Sequence, residues 1–116
     1  MLSPIQIAEA IVEEGRTIRK ISDDILVAAR ANAEAEYRFK SQGAIRRTQY
    51  RASNSGRKPS VDETNDAVLS DIADLLHAHL LAEAELTALR SSLSATQSRL
   101  DALRTLAASL RQAESA

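Results

Sequence analysis

VDETNDAVLSDIADLLHAHLLAEAELTALRSSLSATQSRLDALRTLAASL, residues 61–110, decides the fold. Positions 61, 65, 68, 72, 75, 79, 82, 86, 89, 93, 96, 100, 103, 107 and 110 alternate four and three residues apart. Twelve of these fifteen are apolar, the exceptions being Asn65, His79 and Thr96. Seven heptads without Gly or Pro specify a long coiled-coil helix over residues 61–116. Its start is marked by Ser60 as N-cap with Glu63 three residues on, a capping box in which each side chain can bond the other's backbone N–H. Asp62, Glu63 and Asp66 then lie in the first two turns, where the helix dipole favours negative charge. The polar exceptions Asn65 and His79 read as partly buried residues that set register, with His79 hydrogen-bonded.

Before this helix, Ser53-Asn54-Ser55-Gly56-Arg57-Lys58-Pro59 is a breaker cluster and defines a loop over residues 53–60. Upstream, Ser3-Pro4 reads as an N-cap followed by Pro at the first helical position. Ile7, Ile11, Ile18, Ile21 and Ile25 recur at helical spacing, with Gly15 as a weak point. Ser22-Asp23-Asp24 has the composition of a second cap. The residues before the basic segment therefore fit either one long helix or a short helix 1–21 joined to a second over 22–52. Ala28, Ala31, Ala35 and Phe39 extend the apolar stripe of the second segment.

The expected architecture is all-α: a long helical hairpin or coiled coil with a short N-terminal helix. Length bears on assembly. A helix from Val61 to Gln112 spans about 78 Å, whereas a compact globule of this size has a radius of gyration of about 13 Å. A second segment of about 45 Å, folded back through the loop, reaches only the first half of that rod. There a second stripe, Leu69, Leu76 and Leu80, adjoins the main seam. Beyond Leu86 the face narrows to one seam, which the short first helix covers only in part. Other copies are the expected cover, in a homo-oligomer of two or more chains joined through Leu86, Leu89, Leu93, Leu100, Leu103 and Leu110. Mixed Val, Ile, Leu and Ala along the seam leave the copy number open.

The composition narrows the chemistry. The 116 residues include no Cys, which removes disulfides and thiolate metal sites. Nothing approaches the roughly 18 consecutive apolar residues of a membrane span, and Met1-Leu2-Ser3-Pro4 lacks the basic start and apolar core of a secretory signal. A cytoplasmic protein is expected, in the host cytoplasm if the chain is phage-encoded. No catalytic or metal residues and no cofactor are expected. His77 and His79 fall on different helix faces. Asp71 and Asp74 have no third ligand in view. Gly15, Gly43 and Gly56 are too far apart to cradle a phosphate, and Ser91, Ser92, Ser94 and Ser98 have no His or Lys partner in view and fit an exposed helix flank.

The net charge of −1 hides a segregation. Residues 1–36 carry a net −3 and residues 59–116 a net −5, while residues 37–58 carry seven bases and no acid. These are Arg38, Lys40, Arg46, Arg47, Arg51, Arg57 and Lys58, and all three aromatics, Tyr37, Phe39 and Tyr50, lie in the same window. Cations for phosphates and rings for exposed bases are what single-stranded nucleic acid requires. On a helix, Phe39, Arg46 and Tyr50 share one face, and Lys40, Arg47 and Arg51 an adjacent one. The same window also fits a solvated surface, with Phe39 as the last core residue of its helix. It equally fits a basic tip that pairs with the acidic arms of a neighbouring copy, or a protein or membrane target.

The layout of a helix ending in Tyr37-Arg38-Phe39-Lys40-Ser41-Gln42-Gly43, a Gly- and Ser-containing loop and a long closing helix resembles the phage recombination mediators of the T4 UvsY type. The resemblance runs from about Ala33 to Leu110. It departs at Glu34 and Glu36, where that family is richer in Lys and Arg. It implies a ring- or barrel-forming helical protein that binds single-stranded DNA and helps load a recombinase where single-strand-binding protein sits. The Ala-, Leu- and Arg-rich composition likewise resembles short helical proteins of phages infecting GC-rich bacteria. The functional expectation is thus an oligomeric, non-enzymatic single-stranded DNA-binding accessory of phage recombination or replication, acting with a recombinase or single-strand-binding protein and without a membrane. The alternatives are a coiled-coil scaffold, chaperone or adaptor of phage assembly, and an inhibitor of a host protein.

Overall fold

The computed structural model describes residues 2–54 and 56–115. Met1, Ser55 and Ala116, which the sequence assigns to the first helix, the loop and the last helix, lie outside them. The described residues form three helices and no strand: α1 (Pro4–Ser53), α2 (Val61–Asp71) and α3 (Ala73–Ser115). The chain divides into two compact units, one of Met1–Val27 with Thr87–Ala116 and one of Ala28–Leu86.

The all-α expectation holds, and its N-terminal detail changes. A single helix replaces the expected 1–21 and 22–52 pair. Ser22, Asp23 and Asp24 are all exposed on it, and polar residues on a solvated face do not end a helix whose apolar seam continues. The start of α1 is a reciprocal box that Ser3-Pro4 alone does not announce. Ser3 Oγ accepts from Gln6 N–H at 3.2 Å while Gln6 Oε1 accepts from Ser3 N–H at 2.9 Å. At the other end, Ser53 Oγ and Asn54 Nδ2 donate to the carbonyls of Gln49 and Tyr50, satisfying acceptors that the helix leaves unpaired.

The helix expected over 61–116 is divided. Ile72, at φ −115° and ψ 22°, separates α2 from α3. Neither Pro nor Gly is present at the break. The ladder carries across it, because Ile72 N–H donates to Val68 and Leu76 N–H to Ile72. The break lies opposite Gly43 of α1: Ile72 Cδ1 lies 3.5 Å from where a Cβ on Gly43 would stand. Half of the capping box forms. Ser60 Oγ accepts from Glu63 N–H at 3.1 Å, but the Glu63 carboxylate turns instead to Arg57 at 2.6 Å.

In the first unit, Ile7, Ile11, Glu14, Ile18, Ile21 and Ile25 of α1 face inward. Ile7 and Ile11 adjoin Ala107 and Leu110, and Glu14 adjoins Arg99 and Leu103. Ile7 is 1% and Thr96 0% exposed. The distal seam is therefore covered by the chain's own α1, which at 50 residues is about 75 Å long. This removes the premise on which other copies were expected there. Leu86 and Leu100 are buried and Leu89, Leu93, Leu103 and Leu110 half-buried within one chain. A polar cluster crosses this seam. Arg99 Nε donates to Glu14 at 3.3 Å and its Nη2 to Thr96 Oγ1 at 3.0 Å, and Thr96 donates to Ser92.

In the second unit the inward residues are Ala28, Asn32, Ala35, Phe39 and Gln42 on α1 with Val68, Ile72, Leu75, His79, Ala82 and Leu86 opposite. Asn32 takes the inward position expected of Ala31, which is exposed: the four–three alternation outranks residue type. Val61 is 66% exposed and Asn65 is also outside; the inward stripe begins instead at Thr64, 1% exposed, and joins the expected seam at Val68. The stripe expected to be covered beside it is open at two of its three leucines, with Leu69 47% and Leu80 53% exposed, while Leu76 is half-buried.

Candidate nucleic-acid interface

The basic segment occupies the C-terminal third of α1 and the loop, all within the second unit. Its residues fall into three groups. Three cations are held by carboxylates, all from outside the acid-free window: Arg38 to Glu34 at 3.0 Å, Lys40 to Glu36 at 2.6 Å and Arg57 to Glu63 at 2.6 Å. The first two are Glu-to-base pairs four residues apart, the favoured order on a helix. Lys40, by its hydrogen bond and then its charge, holds the Glu36 carboxyl below its ordinary range, with a smaller contribution from His79 and a small opposing one from burial.

The second group is aromatic. Phe39 is half-buried and stacks on His79, with centroids 5.9 Å apart and planes at 13°. It serves the helix contact and is not displayed as a platform for bases. His79 is itself in the seam, 3.8 Å through Nε2 from Glu83, and its buried Nδ1 has no hydrogen-bond partner among the described residues; the hydrogen bond expected of it is absent at that atom. Tyr50 is half-buried. Tyr37 is 69% exposed.

The third group is Arg46, Arg47, Arg51 and Lys58. Among the described residues none of them has a carboxylate within 4.0 Å. Arg46, Arg51 and Lys58 are exposed, and Arg47 is half-buried with its guanidinium beside Gly43. Tyr37, Lys40, Arg47 and Arg51 fall at helical spacing on one outer stripe, so the exposed ring aligns with the cation row rather than with Phe39. The expected grouping of Phe39 with Arg46 and Tyr50 is dispersed: Phe39 turns inward, Arg46 outward and Tyr50 sits between.

Among the described residues no group of three His, Asp or Glu side chains could hold a metal ion, and no helix is long and apolar enough to cross a membrane. Compared with protein-family models, curated proteins and solved structures, the chain matches none.

Proposed function

We propose that the chain is a non-enzymatic, helical accessory protein that binds single-stranded nucleic acid, as in phage recombination or replication. The observation that carries this reading is the group of cations without carboxylate partners, Arg46, Arg47, Arg51 and Lys58, at one end of α1 and in the loop that follows. Guanidinium and ammonium groups there attract phosphates without base preference, and Tyr37 on the same stripe offers one ring for stacking. Asp62 and Glu63 in the first turn of α2 repel phosphates and restrict contact to the α1 side. A recombinase or single-strand-binding protein is the class of partner that such an accessory serves.

The test is fluorescence anisotropy of labelled single-stranded oligonucleotides against salt. Four neutralised phosphates predict a log–log slope of about −3. Arg46→Ala, Arg47→Ala and Arg51→Ala together should remove most of the binding while leaving the helical content unchanged. A flat salt response, or no binding at low salt, rejects the reading.

A second reading, a structural coiled-coil adaptor of assembly, is favoured by a different observation: Arg38, Lys40 and Arg57 are already paired within the chain. In that case charge reversal at residues 46–51 leaves function intact and co-purification with assembly partners persists.

A further inference from the structure

The second unit leaves one long side uncovered. Lys40, Gly43 and Arg47 of α1 line an open groove of about 180 Å³ together with Asn65, Leu69 and Ile72. Along α2 and α3, the helical repeat carries Leu69 on to Ala73, Leu76 and Leu80. Leu69 and Leu80 are each about half exposed. Leu76 between them is half-buried. Half-exposed leucines on one outer stripe are unusual on a charged coiled coil, whose outer positions are ordinarily polar.

This side is chemically matched to its own inversion. About the midpoint between Asp74 and Leu75, Ala73 mirrors Leu76 and Leu69 mirrors Leu80. About the midpoint between Ser41 and Gln42 on α1, Lys40 mirrors Gly43 and Glu36 mirrors Arg47. The two midpoints lie abreast, because Phe39 stacks on His79 and Gly43 meets Ile72. One two-fold axis therefore serves both helices. It sets large against small at Leu76 and Ala73, leucine against leucine at 69 and 80, and base against acid at Arg47 and Glu36. Gly43 itself is covered within the chain by Arg47 and Ile72, and Lys40 stays beside it, bonded to Glu36 at 2.6 Å. The like-charged pair that the axis creates, Asp66 with Glu83, falls at the ends of the stripe, and the other copy's Arg47 comes up beside that Glu83.

We propose that this side of the second unit, the leucine stripe of α2 and α3 with the Glu36–Arg47 row of α1, binds a second copy of the chain in antiparallel orientation. Such an interface is isologous: every contact is made twice. It uses a different surface from the seam leucines, which are covered within one chain, and it leaves Arg46, Arg51 and Lys58 outside the contact. Arg47 alone is shared with the proposed nucleic-acid site, so the leucine changes are the ones that test the dimer without touching that site.

The full-length chain is tested by light scattering over a range of concentrations, with circular dichroism as the check on folding. The parent chain should be a dimer. Leu69→Ser with Leu80→Ser should weaken the dimer at least tenfold at unchanged helicity, as both side chains are half in solvent. Arg47→Glu should weaken it, and Glu36→Arg added to Arg47→Glu should restore it. Orientation is read from cross-linking, which the absence of Cys makes clean. A mixture of Leu69→Cys and Leu80→Cys chains should give a mixed disulfide on oxidation. Leu69→Cys alone should not cross-link, since its two copies lie about 16 Å apart along the helices, beyond disulfide reach. A monomeric parent, a dimer indifferent to the serine changes, a double charge swap no better than the single, or a Leu69→Cys homodimer would each overturn the proposal.

Discussion

The two units close the same heptad seam by different means. In the first, charge is used across the helices: Arg99 on α3 bonds both Glu14 on α1 and the fully buried Thr96 beneath it. In the second, the ion pairs are local, within α1, within α3 or between the loop and α2, and the contact between α1 and the opposing helices is mainly apolar, with Phe39 on His79 and Ile72 against Gly43 among its pairs. A cross-helix ion pair fixes register and engages its charges within one chain, here through Glu14 Oε1 while Glu14 Oε2 is buried without a hydrogen-bond partner among the described residues. A hydrophobic contact leaves charges on the outside, where Arg46, Arg47, Arg51 and Lys58 remain available to something else. The lesson is that surplus charge in one unit is a better pointer to function than the net charge of either.

The largest expected difference is between a seam leucine and a stripe leucine. Leu100, 7% exposed in the first unit, should cost about 2–4 kcal/mol as Leu100→Ala, from lost burial plus the cavity left behind. Leu80→Ala in the second unit, measured in dilute monomeric conditions, should stay within about 0.5 kcal/mol. Urea denaturation of both variants checks this. Equal losses would mean that Leu80 is covered within the chain, which would also remove the basis for a docking surface.

Glycine gives the next contrast. Gly15 sits in mid-helix with nothing within 4 Å of where a Cβ would stand, so Gly15→Ala should stabilise by about 0.8–1 kcal/mol through helix propensity alone. At Gly43 the same methyl meets Ile72 Cδ1 and Arg47 Nη1, both at 3.5 Å. That is ordinary contact, so Gly43→Ala should also be tolerated, with a smaller gain because the close approach of α1 is filled. A loss of stability at Gly43 with a gain at Gly15 would show that the break at Ile72 depends on the gap.

Much of this layout is legible in the sequence, and the exceptions share a cause. The four–three alternation from Val68 to Leu110 matches the inward positions residue by residue, and Ser60 caps where it should. What misleads is residue type. Ala31 is apolar yet faces out, while Asn32 faces in. Ser22-Asp23-Asp24 has cap chemistry without a helix end, and reading it as one shortens the first helix enough to create an apparent need for other copies on the distal seam. The basic window misleads through its edges. Counting charge from residue 37 to 58 omits Glu34, Glu36 and Glu63, one helical turn or one loop away, although the Glu-to-base spacing of four is visible in the sequence. The break at Ile72 has no such signal, since it depends on which residue of a distant helix lies opposite.

The smallest expected effect concerns the local pairs of the second unit. Lys40 lowers the Glu36 carboxyl below its ordinary value of 4.5. A carboxyl that is more acidic in the folded chain contributes stability above its unfolded value, and that contribution disappears as pH falls through the folded one. The parent chain should therefore be slightly more stable than Lys40→Met near neutrality, with the two converging as the pH drops below about 4.5. The pair is solvent-exposed, so added salt should shrink the difference at neutral pH as well. Urea midpoints of both chains across this pH range check the expectation. A difference that survives full protonation would assign the role of Lys40 to the packing of its methylene stem, and would leave the first unit as the only one whose ion pair contributes to holding the helices together.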